Sequence, residues 1–169
     1  NKSDDNNQEY SNLLKQNFNA TMPNEKWVSD ITYINTINDG WCYLASVMDL
    51  YTKKIVGFHF SKNIKTDIIM RALNNAISSK TPNKGLIIHS DRGSQYTSNN
   101  YQDHVKKLGF KLSYSKKGCP YDNACIESFH ASLKKELVYN TKYFNFKEAR
   151  LSLFEYIESF YNRIRIHSS

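Results

Sequence analysis

Cysteine is scarce in this chain. The three present, Cys42, Cys119 and Cys125, are odd in number and include no C-x-x-C pair. That pattern excludes a disulfide framework and a zinc knuckle, and it fits a reducing interior. No run approaches the ~20 apolar residues of a membrane span, and the polar opening NKSDDNNQEY offers none of the apolar stretch of a signal peptide. The phosphate-cradling pattern G-x-x-x-x-G-K-[ST] is missing too, and no internal repeat is visible. Together these absences predict a soluble, intracellular protein with no membrane partner.

What is present points to one globular domain. A chain of 169 residues with 40% hydrophobic and 14% aromatic residues can bury a real core. Lysine and arginine number 23 against 16 acids, a net charge of +7. That balance favours a polyanionic partner such as nucleic acid, although it also suits a merely solubilising surface.

Residues 1–26 are rich in Asn, Lys and Ser and read as a polar arm or linker. From Trp27 the pattern becomes β-rich: WVSDITYIN, the turn signal NDG, WCYLASVMDL and KKIVGFHF predict three consecutive antiparallel strands. The spacing of Ile69, Leu73 and Ala76 predicts a helix over 66–79, with Thr66 as a candidate cap. LIIHSD reads as a fourth strand, SNNYQDHVKKLG as a helix closed by Gly109, and FKLSYS as a fifth strand. Helices follow over about 122–139 and 146–166. The expected fold is therefore α/β: a mixed five-stranded sheet with helices packed on it.

Three acids stand in places that need explaining. Asp30 lies inside a strand, where Asp is depleted because its short polar chain competes with the backbone. Alternation puts it on one face with Val28, Thr32 and Ile34. Asp91 follows the apolar run 86–88 at the carboxyl end of its strand, where open α/β sheets place ligand-binding groups, although an ordinary Asp-Arg-Gly turn would also account for it. On the helix after 122, Ile126, Phe129, Leu133 and Leu137 form an apolar stripe flanked by Glu127, His130 and Lys134. A regular helix places Glu136 on the opposite side from Glu127, and Asp122 reads as an N-cap. Asp30, Asp91 and Glu127 together supply hard oxygen ligands suited to divalent ions.

These segments resemble the catalytic core of integrase-type DDE transposases from bacterial insertion sequences, kin to retroviral integrases. The resemblance rests on PNEKWVSDITYI, WCYLASVMDLYTKKIVGF, IHSDRGSQYTS, SKKGCPYDNACIESFHASLKKE and FYNRIRIHSS. Thirty-five residues separate Asp91 from Glu127, the spacing that names the D,D(35)E class. It implies a ribonuclease-H-like fold over 27–169, a core truncated at both ends relative to the full protein. It also implies catalytic, metal-binding roles for Asp30, Asp91 and Glu127, with two Mg2+ or Mn2+ ions and Asp30 shared between them.

The implied reaction is DNA strand cleavage followed by transfer of the freed 3′-hydroxyl, on transposon ends and target DNA, in the bacterial cytoplasm. Synapsis of two ends implies self-association on DNA. Candidate DNA contacts are Arg92, Lys116, Lys117, Lys134 and Lys135, with Tyr96 available to stack or hydrogen-bond. His130 is expected to touch substrate or to orient the carboxylate, while His59, His89 and His104 read as structural. A ribonuclease-H-like nuclease without strand transfer and a catalytically silent DNA-binding module are the competing readings.

Overall fold

A computed structural model describes residues 11–14, 19–116, 123–138 and 142–167. Five strands form one sheet: β1 (Lys26–Thr36), β2 (Gly40–Asp49), β3 (Ile55–Ser61), β4 (Ile87–Ser90) and β5 (Lys111–Tyr114). Their spatial order is β3-β2-β1-β4-β5. The first three strands are antiparallel neighbours, whereas β4 joins β1, and β5 joins β4, in parallel. This is the mixed sheet that the strand pattern predicts.

The β1–β2 turn follows from its residues. Gly40 takes φ 67°, which L side chains rarely adopt, and Thr36 Oγ1 donates to its carbonyl at 3.0 Å. In β3, Gly57 meets a different demand. A Cβ there would lie 2.5 Å from the Ala72 carbonyl oxygen and 2.7 Å from the Ala76 Cβ, so only glycine lets the next helix settle this closely on the strand.

Helices α1 (Thr66–Lys80) and α2 (Asn99–Lys107) cover one face of the sheet, and α3 (Ala124–Leu133) and α4 (Phe146–Glu155) the other. The alternation of β1 divides its side chains between the two layers. Trp27 packs with Ile69, Leu73 and Tyr101 on the first face, and Val28 and Ile34 pack with Ile126, Phe129 and Leu133 on the second. Leu14, in the segment read as an arm, is buried in that second core, and the Leu13 and Leu14 N–H groups donate to Ser113 Oγ at 2.9 and 3.2 Å.

Several local expectations are corrected. The residue before α1 is Lys65, which makes no side-chain cap bond, so Thr66 begins the helix instead of capping it. Ser98 caps α2 by accepting from the Tyr101 N–H, and Asn145 caps α4 by accepting from Glu148 N–H at 2.9 Å. Beyond Leu133 the helix widens into a π-helical turn over Lys134–Val138, and a second runs over Tyr156–Tyr161 before α5 (Asn162–His167). The wider turn changes the angle per residue, so a regular helical wheel no longer places Lys135 and Glu136 relative to Glu127.

The start of α5 also closes the free edge of the sheet. Asn162 Oδ1 accepts from the Ile55 N–H and its Nδ2 donates to the Ile55 carbonyl, both at 3.0 Å, occupying the bonds a sixth strand would make. The neighbouring Tyr161 donates from its hydroxyl to the Lys53 carbonyl at 2.9 Å.

Candidate active site

Asp30 is positioned by its strand. In the β1–β2 register it lies opposite Ser46, on the face that α3 covers. The parallel β1–β4 pairing runs as far as Val28 opposite His89. Two residues further along each strand come Asp30 and Asp91, so the two acids stand level where β4 ends and the chain turns away. A gap opens between neighbouring strands at that point, which is where α/β sheets place ligands.

The loop after β4 is built to present Asp91. Its Oδ1 accepts from the Gly93 N–H at 2.8 Å, and the Tyr96 and Thr97 N–H groups both return to the Gly93 carbonyl, at 3.0 and 3.1 Å. Tyr96 pins this turn to the sheet: its hydroxyl shares a 2.9 Å hydrogen bond with Ser29 Oγ, and its carbonyl accepts from Tyr114 Oη at 2.6 Å. Asp91 thus does occupy an Asp-Arg-Gly turn. Anchoring of that turn to β1 and β5 keeps its carboxyl at the mouth of the gap.

Glu127 lies in the first turn of α3, with its side chain exposed. The three acids share one electrostatic environment. Burial raises the Asp91 carboxyl above its ordinary value, the Gly93 N–H pulls it back, and the charge of Asp30 raises it again. Partial burial, then Asp30 and Asp91, raise Glu127, with His130 opposing them. Among the described residues no three His, Cys, Asp or Glu side chains stand close enough to hold one ion together.

The remaining candidates separate. His130 is buried instead of facing outward as a DNA contact would. Its Nδ1 lies 3.6 Å from Asp30 Oδ2 and its Nε2 lies 3.0 Å from Ser46 Oγ. Tyr96 is also buried and cannot stack on a base, and burial keeps its hydroxyl protonated. Arg92 donates from Nε to the Ser115 carbonyl at 2.9 Å, which fixes it beside Asp91. Lys134 is half-buried, and Lys116 and Lys135 are exposed. Lys117, Asp122 and Cys119 lie outside the described residues.

Sequence reasoning missed Ser29 and Ser46. Their available signal is a buried small polar residue inside an apolar strand. His89, His59 and His104 fall where the sequence puts them, as structural groups: His89 Nδ1 meets Ser113 Oγ at 2.7 Å, and His104 Nε2 meets Asn74 Oδ1 at 2.8 Å. Burial, followed by neighbouring cations, lowers both His59 and His104 below the ordinary histidine value.

A three-layer domain with this strand order and paired acids at the β1–β4 gap is a ribonuclease-H-like integrase fold. Solved structures share it: a simian T-cell lymphotropic virus intasome in complex with a PP2A regulatory subunit (TM-score 0.62, 20% identity, 69% of this chain and 40% of that one), and the HTLV-2 integrase catalytic core domain in complex with magnesium (TM-score 0.58, 19% identity, 69% of this chain and 71% of that one). Residues 20–120 and 108–169 each match an Integrase core domain profile, and the chain belongs to that family. Among curated relatives it is 43% identical over 93% of its length to the transposase for insertion sequence element IS904 of Lactococcus lactis and to the transposase InsF for IS3A of Escherichia coli. It spans 62% and 54% of their lengths, respectively. Among the described residues no helix is long and apolar enough to cross a membrane.

Proposed function

We propose that this chain is the catalytic core of an insertion-sequence transposase, which cleaves DNA and joins the freed 3′-hydroxyl to a second phosphodiester. The observation that carries this reading is the placement of Asp30 and Asp91 where the β1–β4 pairing ends, with Glu127 near enough for both of them to raise its hold on a proton. Burial first, and the neighbouring carboxylates after it, disfavour the ionised forms of Asp91 and Glu127, and a hard divalent cation relieves that. The donor set fits Mg2+ or Mn2+: Asp30, Asp91 and Glu127 would hold the metal, Asp30 as the ligand common to two ions and Asp91 and Glu127 each favouring one. Bound there, the ions would activate the attacking oxygen and stabilise the leaving one.

The chain's own residues do the rest. Asp30 and Asp91 are fixed by the sheet and by the Gly93 turn, while Glu127 approaches from the first turn of α3. Arg92, held beside Asp91 by its bond to the Ser115 carbonyl, and the lysines Lys116, Lys134 and Lys135 are the proposed phosphate contacts, by charge. Lys117 belongs to the same proposal by sequence.

In the first reaction a water oxygen bonds to phosphorus and the P–O3′ bond breaks, releasing a 3′-hydroxyl and leaving a 5′-phosphate. In the second that hydroxyl bonds to a target phosphorus and displaces another 3′-oxygen. One phosphodiester replaces another, so no nucleotide is hydrolysed. The relatives' names, transposases of insertion sequences, support transposon DNA as the substrate; target DNA, self-association on it and a site of action in the cell interior belong to the same proposal.

The test is strand joining on a transposon-end oligonucleotide with Mn2+. Cleavage without joining would favour a plain nuclease, and neither activity would favour a silent DNA-binding module. Wild-type joining by Asp91→Asn would refute the site.

A further inference from the structure

A carboxylate in mid-strand has two rotatable bonds, and nothing in β1 itself fixes where its oxygens point. The contact that faces Asp30 comes from across the layer. His130 sits one helical turn beyond Glu127, its side chain 6% exposed against 16% for Asp30, and its Nδ1 approaches Oδ2 at 3.6 Å. The distance is longer than a hydrogen bond, and it leaves a polar contact aimed at the carboxylate.

The ring is itself held. Ser46 Oγ meets Nε2 at 3.0 Å, and Ser46 is the cross-strand partner of Asp30. The Phe129 ring lies beside the imidazole, with centroids 5.4 Å apart. With Ser46 on Nε2, Nδ1 is the nitrogen aimed at Asp30, and an N–H there meets the acceptor it requires.

We propose that His130 is a positioning residue for Asp30. It orients the Asp30 carboxylate through Oδ2, from a ring that Ser46 holds in turn. This rests on the reading of Asp30 as a metal ligand. Groups that orient a metal-binding side chain from behind typically change metal affinity 10–100-fold when removed.

Two near-isosteric substitutions separate orientation from packing. The amide nitrogen of Asn falls near Nδ1 and keeps a donor toward Asp30, while that of Gln falls near Nε2 and keeps the Ser46 contact alone. Mn2+ binding to the 169-residue chain, followed by electron paramagnetic resonance beside the melting temperature, reads the difference. His130→Gln is expected to weaken Mn2+ binding tenfold or more, and His130→Asn only about threefold, whatever the order of their melting temperatures. Ser46→Ala, which frees the ring without touching the imidazole, is expected to weaken binding by an intermediate factor and provides the readout if a His130 variant fails to fold.

Unchanged Mn2+ affinity in His130→Gln, or in Ser46→Ala where that is the readout, with binding still lost in Asp30→Asn, overturns the positioning role alone. Wild-type Mn2+ affinity in Asp30→Asn overturns the metal site, and this role with it.

Discussion

Asp30 on β1 and Asp91 just beyond the end of β4 each lie two residues past the last paired positions of these parallel neighbours, Val28 and His89. The pairing geometry brings them to the same end of the sheet, where the proposed site lies. Asp91→Asn keeps the Gly93 N–H bond, because the amide oxygen still accepts, and removes the charge. Strand cleavage and joining are expected to fall by about 10³-fold or more, since a cation site of this kind contributes several kcal/mol to the transition state. Rates on a transposon-end duplex check this, and a loss below tenfold would count against Asp91 as a ligand.

Stability should respond to pH in a direction set by burial of the Asp91 and Glu127 carboxyls, with neighbouring negative charge adding to it. Asp91 and Glu127 hold protons more tightly folded than unfolded, where 3.8 and 4.5 are the ordinary values. The folded state therefore binds more protons above those values, and stability contributed by the protonated carboxyls is lost as pH rises through the raised ones. Metal-free protein is expected to lose stability over that window. Asp91→Asn should flatten the loss and melt higher than wild type at neutral pH, and saturating Mg2+ should flatten it in wild type. Melting curves across pH, with and without the ion, check all three.

Lys134 opens the π-helical turn one step after α3, its stem half-buried and its position on the Glu127 side of the helix. Lys134→Ala is expected to weaken DNA binding and to reduce the magnitude of the salt slope by about 0.9, the value for one phosphate contact on duplex DNA. Binding isotherms at several salt concentrations measure it. An unchanged slope would assign this lysine to the solvated surface.

Asn162 replaces a missing strand at the β3 edge through its two bonds to Ile55. Asn162→Ala leaves the N–H and C=O of Ile55, a buried residue, without those partners, at a cost of about 1–3 kcal/mol. The exposed edge should also make the protein more prone to associate. Urea unfolding with light scattering checks this, and Asn162→Asp, which retains only the acceptor, should fall between the two.

The strands and the mixed character of the sheet were legible because alternation and turn signals declare themselves locally, whereas the placement of β4 beside β1 is a long-range pairing with no local signal. The three proposed ligands drew notice for different reasons: Asp30 because Asp is depleted from strands, Asp91 because it follows a strand's carboxyl end, and Glu127 because it flanks an apolar stripe. The role of His130 was only half legible, since a helical wheel shows that it shares a flank with Glu127 but not that the flank turns inward onto Ser46. Tyr96 misled for the opposite reason: beside an exposed-looking loop, an aromatic reads as a surface platform, and only the Ser29 contact shows that it is the loop's anchor. The π-helical turns left no periodic signature, because one added residue per turn is invisible in so short a stretch.

The most direct test of the central claim is a crystal of the chain soaked in Mn2+ and measured for anomalous scattering. A peak bridging the Asp30 and Asp91 carboxylates, roughly 2.1 Å from an oxygen of each, is the predicted result. Ordered carboxylates on both residues with no Mn2+ between them would contradict it.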